Sequence, residues 1–470
     1  MHLEVNSVRR MWYRIAVLAS LLRPSSAIMR HELLEKLRAS PAILAPLTRA
    51  STPPFRALCV AHGCEATMGE MIFAKYLRKG DRREKARLRR HDSEPLFGAQ
   101  IATNTIAEGA AACAAAADAG ADWVDLNCGC PIYEATRRGL GSALLRSPRK
   151  LARLVGGICE ASPVPVSVKL RLSPAGPNDA NYLDHVAALR DLGEEGPAFL
   201  TLHGRTATQR YGKPADWAAI EAAAGAAGAV PLVGNGDVLT HYEAAARRAA
   251  APAAAGLMVG RGALVTPWLF DEIKSGSTWL PTAEERAAVY YELAANYRTQ
   301  FGDDARGKNA AFYFLPFHFN FLHRWRPLPE AAFGDLAALA PLIQSGRDVD
   351  ARLRDLEGPD LPPLERLLRC AAGDAHDAIA HALWDGRDAA DAVAALERLA
   401  TEENLAAWAG PTADGEDEDE GHVKKQKAPP KKKKKVKVRV GRKDNSQQTT
   451  ASLSTRTCTL YRPVPKRTAA

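Results

Sequence analysis

Val230-Pro231-Leu232-Val233-Gly234-Asn235-Gly236-Asp237 and, one helical stretch later, Gly256-Leu257-Met258-Val259-Gly260-Arg261-Gly262-Ala263 decide the fold. Each is a short apolar run closed by a glycine turn, and His241–Ala250 between them has the composition of a helix. Strand, glycine turn and helix, taken twice in succession, make the repeat of a parallel βα protein. The same rhythm runs upstream, with strand candidates at Ala42–Leu47, Ala66–Glu70, Leu96–Ile101, Trp123–Asn127, Val164–Leu170 and Phe199–His203. Helical stretches such as Ile106–Ala119 and Pro148–Glu160 separate them. Eight βα units in roughly 230 residues predict a closed (β/α)₈ TIM barrel. A doubly wound open sheet is the alternative. Thr48, Glu70, Gln100, Asn127, His203, Asn235 and Arg261 all stand at or just after strand ends. Closure would gather them on one rim, where barrels place their chemistry, whereas an open sheet would scatter them.

Three groups of residues carry chemistry. The glycine turns after the seventh and eighth strands occupy the positions where this fold binds phosphate. There Gly236 and Gly260 would let backbone N–H groups approach the phosphate, and Arg261 would add a charged fork. Lys169 and Arg171 alternate with apolar neighbours at the end of the fifth strand, and His203-Gly204-Arg205 ends the sixth. Cations there suit an anionic ring or a phosphate; the plainer reading is a pair of rim salt bridges. The fourth strand ends in Asn127-Cys128-Gly129-Cys130-Pro131. A rim thiol acts as nucleophile, acid or redox partner, and the plainer reading is two small buried side chains. The two cysteines are one residue too close for a CxxC redox pair, which disfavours a disulfide switch.

The 470 residues include 46% apolar side chains, enough for a large core. The net charge of +9 is concentrated at the C-terminus, where residues 423–470 hold sixteen Lys or Arg against Asp444 alone, leaving the remainder at −6. A high isoelectric point therefore does not by itself make the folded part a nucleic-acid binder. The eight cysteines show no zinc-finger spacing and read as reduced thiols. No apolar run reaches the roughly 20 residues of a membrane helix. The expected organisation is a leader over 1–40, a barrel over 41–280, a helical domain over 281–410, and an acidic then Lys-rich tail over 411–470 read as disordered. Glu284–Phe301 and Lys308–Trp325 are expected as helices, the second rich in aromatics. The leader carries Arg9, Arg10 and Arg14 with only Glu4 as an acid, which admits a mitochondrial or plastid transit peptide beside a cytoplasmic or nuclear location. The Lys431–Lys435 block has three readings side by side: a nuclear-localisation signal, an RNA-backbone contact, and a solubilising extension.

Taken together, nine ordered blocks over about residues 41–330 resemble one family. They include Leu44-Ala45-Pro46-Leu47-Thr48, Gly69-Glu70-Met71, Phe97-Gly98-Ala99-Gln100, Asn127 to Pro131, Val168-Lys169-Leu170-Arg171, Thr201 to Arg205 and Gln209-Arg210-Tyr211, with the two glycine turns and Pro267-Trp268-Leu269-Phe270. The chain resembles the tRNA-dihydrouridine synthases, especially the eukaryotic type that acts on uridine 47. The resemblance implies an FMN enzyme reduced by NADPH (or NADH), passing hydride to uracil C6 while Cys130 protonates C5. It implies FMN contacts from the Pro46, Leu47 and Thr48 backbone, Gln100, Lys169 and His203. The phosphate would sit at Asn235, Gly236, Asp237, Gly260 and Arg261. Asn127, Arg171 and Arg205 are the candidates for contact with the uridine. The partner implied is tRNA, bound partly by the helical domain, with a monomer expected and neither metal nor membrane involved. Two features depart from the family pattern: no Cys₃His spacing precedes the barrel, and Tyr133 stands where relatives carry Asp. Two other functions fit parts of the sequence. An FMN barrel reductase of a free small molecule would need no helical domain, and a non-catalytic tRNA-binding protein would not need Cys130, Lys169, His203 and Arg261 intact.

Overall fold

The computed structural model describes residues 26–173, 182–209, 211–335, 341–358 and 360–409. The first 25 residues, the tail from 411 and Arg210 lie outside them, and with these the transit-peptide and Lys-block readings.

Nine strands form one sheet: β1 (Ile43–Leu44), β2 (Ala66–Met68), β3 (Ile72–Phe73), β4 (Leu96–Ala102), β5 (Trp123–Cys128), β6 (Val166–Arg171), β7 (Phe199–His203), β8 (Leu232–Asn235) and β9 (Gly256–Val259). Every pairing is parallel, and β1 bonds to β2 on one side and β9 on the other, so the sheet closes. β2 and β3 both lie along β4, with Met68 opposite Gly98 and Ile72 opposite Ile101. They are one stave broken at residues 69–71 by one extra residue, as a bulge does at a barrel rim. The barrel therefore has the eight staves expected from the sequence, the second of them in two pieces.

The interior is layered. Ile43, Ala66, Leu96, Trp123, Phe199, Val233 and Met258 fill the end where the strands begin. Polar residues occupy the other end, and register aligns them: Gln100 beside Asp125, Asp125 beside Ser167, Asn127 beside Lys169, and Arg171 beside His203 beside Asn235. Paired residues on parallel strands point to the same side, so these three polar rows face the same lumen.

Two expectations change. Residues up to 40 were expected as a leader outside the fold, but Ser26–Ala39 is a helix. Its Leu33 is buried against the apolar end of the barrel, with Leu34 and Leu37 packed beside it. Those leucines fall on one helical face, which explains why the segment plugs the barrel instead of trailing away. The single helix expected over Lys308–Trp325 is broken into Ala305–Ala311 and Leu315–Leu322. Pro316 sits at the start of the second piece, where a missing N–H costs nothing, but it cannot continue a helix from upstream.

The helix Ala283–Phe301 begins with a capping box built from Thr282 and Glu285 and packs on the barrel helix Pro53–Ala61. Buried hydrogen bonds run from Thr52 Oγ1 to the Tyr297 hydroxyl (2.8 Å) and from that hydroxyl to His318 Nε2 (3.0 Å). Arg286 pairs with Glu365 and lies 3.9 Å from the centre of the Trp325 ring, tying the later helices to the same core. Among the described residues, no helix is long and apolar enough to cross a membrane.

Candidate active site

The polar rim is built by strand ends. At its floor, Ser167 Oγ donates to Asp125 Oδ1 (2.6 Å) and Gln100 Nε2 donates to Asp125 Oδ2 (2.8 Å). Asn127 Nδ2 donates to Gln100 Oε1 (2.8 Å), and Asn127 Oδ1 accepts from the backbone N–H groups of Gly129 (3.2 Å) and Cys130 (2.9 Å). Because a carboxylate can only accept, this chain fixes the orientation of both amides and ends on the backbone of Cys130. Burial pushes the Asp125 carboxyl up to about 6, opposed by Ser167, Gln100 and the charge of Lys169. Asp125 and Ser167 are absent from the sequence-derived site. The signal was there: Asp125 lies two residues before Asn127 and so on the same strand face.

Cys130 and Phe73 pack against a small apolar cluster of Met71, Ala102, Ala135 and Leu140. Burial raises its thiol, while Arg171 and Lys169 pull it down. The balance is upward, so the thiol keeps its proton at pH 7. Its carbonyl accepts from Ser142 N (3.0 Å). Gly141 has φ +60°, and a Cβ there would fall on the Cys130 carbonyl oxygen. Cys128, by contrast, is fully buried, which fits the packing role.

Across the mouth Lys169 Nζ donates to Asn235 Oδ1 (3.0 Å), whose Nδ2 donates to the Met258 carbonyl (2.8 Å). Burial and Arg171 push the Lys169 ammonium down to about 8. Arg171 is buried and donates to the Thr206 carbonyl (3.1 Å). His203 lies 3.1 Å from Arg205 through Nε2. A guanidinium cannot accept, so Nε2 accepts and the ring proton belongs to Nδ1. Burial, then Arg171, Lys169, Arg205 and Arg261, hold this imidazole neutral, far below its ordinary range.

Asp237 takes an unusual backbone conformation for a non-glycine residue, φ +51°. Its carboxylate is fully buried and accepts from Arg205 Nη2 at 2.7 and 2.6 Å, from Ala215 N at 2.6 Å and from Arg261 Nη2 at 3.3 Å. Arg261 also lies over the Tyr211 ring at 3.7 Å. Gly236 has φ +137°, and a Cβ there would stand 2.5 Å from that of Ala215. At Gly260 the nearest atoms to an added Cβ are 3.6 Å away, so packing does not demand glycine there and its absence of a side chain leaves the rim open.

Most of the candidates thus converge, in three different capacities. Cys130, Lys169, His203, Asn235, Gly260 and Arg261 meet at the mouth. Gln100 and Asn127 lie in the layer beneath it, with Asn127 committed to the cysteine loop rather than presented as a substrate contact. Arg205, expected to touch the uridine, is entirely buried and bonded to Asp237, His203 and the Lys213 carbonyl; it belongs to the wall. The Asp237 side chain is likewise structural, since a carboxylate facing a phosphate would repel it. Pro46, Leu47 and Thr48 reach the rim after β1, but the Leu47 N–H already donates to Ser51 Oγ (2.6 Å) and is not offered to a ligand. Sequence reading also missed Arg49, whose φ is +65°. Its N–H donates to Glu70 Oε1 (2.7 Å), and its guanidinium lies over the Tyr313 ring at 4.3 Å, joining the rim to the helical segment.

The mouth with its wall and floor holds Lys169, Arg171, Arg205 and Arg261 against Asp125 and Asp237, with a neutral imidazole and a protonated thiol beside them. Such a site receives an anion and can give a proton.

Residues 43–315 match the profile of the dihydrouridine synthase family. The chain belongs to that family. Curated relatives include a tRNA-dihydrouridine(47) synthase [NAD(P)(+)] of Cryptococcus neoformans, 38% identical over 61% of this chain and 41% of its own length. The human tRNA-dihydrouridine(47) synthase [NAD(P)(+)]-like protein is 37% identical over 61% of this chain and 43% of its own. That of Coprinopsis cinerea is 36% identical over 67% and 48%. The chain spans less than half the length of these relatives.

Proposed function

We propose that this chain reduces a uridine of tRNA, at position 47, to 5,6-dihydrouridine, using FMN and a nicotinamide nucleotide as reductant. The observation that carries the reading is the pairing, on one barrel rim, of a protonated thiol with a cation-rich pocket. The residues present suit FMN. Lys169 and Arg261 offer positive charge, the neutral His203 ring offers Nδ1–H, and the rim at Gly260 is open to a close approach. When bound, FMN supplies the hydride that saturates the uracil ring.

Everything else falls to the chain. Lys169, pinned by Asn235, would hold a positive charge beside the cofactor's ring, and Arg171, two residues on along the strand, would add a second. Arg261, braced by Asp237 and Tyr211, supports the phosphate end. Cys130 holds its proton until negative charge develops on the uracil, then releases it to C5, and its loop is aimed by Asn127, Gln100 and Asp125. A base inside a helix is out of reach of this recessed thiol, so the target uridine must leave its stack to enter.

An absorbance spectrum of the purified protein tests the reading first, followed by NADPH and unmodified tRNA with dihydrouridine mapped by position. Flavin with product at position 47 is the expected result. Product elsewhere removes the position, flavin without product points to a reductase of small molecules, and no flavin after FMN addition removes the enzyme.

A further inference from the structure

The structure carries a surface that neither the sequence reading nor the family match singled out. β3 ends at Phe73 and is followed by two short helices, Ala74–Arg78 and Arg82–Arg87. Residues 74–90 contain nine Lys or Arg against Asp81 and Glu84. Both acids are spent within the fold. Asp81 caps the second helix by accepting from the N–H groups of Arg83 (2.8 Å) and Glu84 (3.2 Å). Glu84 is buried, accepts from Phe73 N (3.0 Å) and pairs with Arg87 (2.9 Å). Lys79, Arg82, Arg83 and Lys85 are exposed and make no ion pair with any described residue. Arg78, Arg87 and Arg90 pair with Glu108, with Glu70 and Glu84, and with Asp122, so the surplus positive charge is concentrated on the exposed stretch from Lys79 to Lys85, where it would attract an anion.

This segment adjoins the cysteine loop. Phe73 and Cys130 pack against the same small apolar cluster, and the Arg138 guanidinium, from the loop side, lies 5.0 Å from the centre of the Tyr76 ring. On the loop itself, three residues beyond Cys130, Tyr133 is 77% exposed, the most exposed of the large apolar or aromatic side chains among the described residues. Arg137 stands 5.9 Å from the centre of its ring. An aromatic ring bared to solvent beside arginine, at the edge of a basic strip, is the arrangement that stacks on a base while neighbouring charges follow a phosphate backbone. A protein partner of acidic character would account for the charge but not for the lone exposed ring beside the reacting thiol.

We propose that Tyr133 and the basic segment 74–90 form an RNA-contacting surface on the cysteine-loop side of the mouth, Tyr133 stacking on a nucleotide beside the target uridine and the segment neutralising phosphates. This rests on the tRNA reading above.

The test uses the full chain with bound flavin and an unmodified tRNA transcript. One variant is R82E/R83E/K85E; the control is Lys36→Glu, an exposed change on the helix that plugs the opposite end of the barrel. Circular dichroism melts and flavin content check that each variant folds. The triple change is expected to weaken tRNA binding by about tenfold or more and to flatten the dependence of log K on log salt by about two units, as loss of three phosphate contacts requires. Lys36→Glu should leave both unchanged. Tyr133→Ala should lower kcat/KM for tRNA, with Tyr133→Phe restoring it, because stacking needs the ring and not the hydroxyl. If the wild type makes dihydrouridine while the triple variant binds tRNA as the control does, the surface is wrong and the enzyme reading stands. If the folded wild type neither binds tRNA nor modifies it, both fall. Equal loss in Tyr133→Ala and Tyr133→Phe would remove the stacking role.

Discussion

At the scale of single residues, the Cys130 thiol keeps its proton, because burial outweighs the pull of Arg171 and Lys169, and the proposed reading makes that proton the one delivered to the uracil. Cys130→Ala should therefore leave flavin content and its reduction by NADPH intact while dihydrouridine formation falls by about 10²–10⁴, the usual weight of a general acid. Undiminished product formation in single turnovers would remove the role. Gly141 offers a subtler probe. Its positive φ costs an L-residue about 1–2 kcal/mol, and the added methyl would press on the carbonyl of Cys130. Gly141→Ala is expected to lower the melting temperature and, more than that, to lower kcat with flavin still bound; a stability loss with kcat unchanged would show that the cysteine loop does not depend on this turn. Much of the site was legible at this scale. Residue type and strand-end position put Cys130, Lys169, His203 and Arg261 on the rim, where the structure has them. Arg205 was not, because a rim arginine and a wall arginine have the same sequence signature, and only the carboxylate of Asp237, 32 positions away, decides between them. Asp125 was overlooked beside a louder cysteine motif, although strand alternation put it on the same face as Asn127.

At the scale of elements, apolar periodicity predicted the barrel well because each stave is a short hydrophobic run ended by a turn. It misplaced boundaries where a local event intervened: the extra residue between β2 and β3, the proline that splits the aromatic helix, and the leucine face of Ser26–Ala39, which shows its purpose only when the barrel's open end is in view. A further element acts on the site from a distance. Gln344, in the segment after residue 340, donates to the carbonyls of Tyr211 (2.8 Å) and Lys213 (3.2 Å) on the rim loop that carries the Arg261 partner ring. Two residues earlier, Leu342 N donates to Glu243 Oε1 (2.8 Å), and the other oxygen of Glu243 accepts from Leu239 N (2.9 Å), in the turn that follows β8. The C-terminal segment is thereby stapled to both walls of the expected phosphate pocket. Gln344→Ala should cost only about 0.5–1.5 kcal/mol per lost bond, yet speed amide exchange in residues 205–216 and the release of flavin. Glu243→Ala should cost more, about 1–3 kcal/mol for each buried N–H left unpaired. Unchanged exchange in the rim loop of Gln344→Ala would show that the staple does not govern it.

At the scale of the whole molecule, the barrel and the helical segment are joined through a polar seam that composition does not reveal, since Thr52, Tyr297 and His318 are far apart in the chain. His318 is fully buried, stacks on Phe55 at 4.8 Å between ring centres, and uses Nε2 on the Tyr297 hydroxyl. Its Nδ1 has no hydrogen-bond partner. An unpaired lone pair is cheaper to bury than an unpaired N–H, so the proton belongs on Nε2, donated to Tyr297, which in turn donates to Thr52. Burial, then the charge of Arg49, lower the His318 imidazole to about 3. The folded ring stays neutral where the unfolded one, near 6.5, takes a proton. Stability from this group is therefore complete above pH 6.5 and is lost as pH falls from 6.5 towards 3, at about 1.4 kcal/mol per pH unit. The buried carboxylates of Asp125, Glu243 and Glu272 are raised and titrate with the opposite sign, so the wild-type curve alone would hide the histidine. A difference removes them. His318→Phe keeps the ring on Phe55 but gives up the bond to Tyr297, so it should be less stable than wild type at pH 7. Between pH 6.5 and pH 5 the gap should narrow by about 2 kcal/mol, because only the wild type has a proton to refuse. Urea unfolding at the two pH values measures it. A gap that stays constant would mean that the His318 ring takes up its proton in the folded chain as readily as in the unfolded one, and that the seam is open to water.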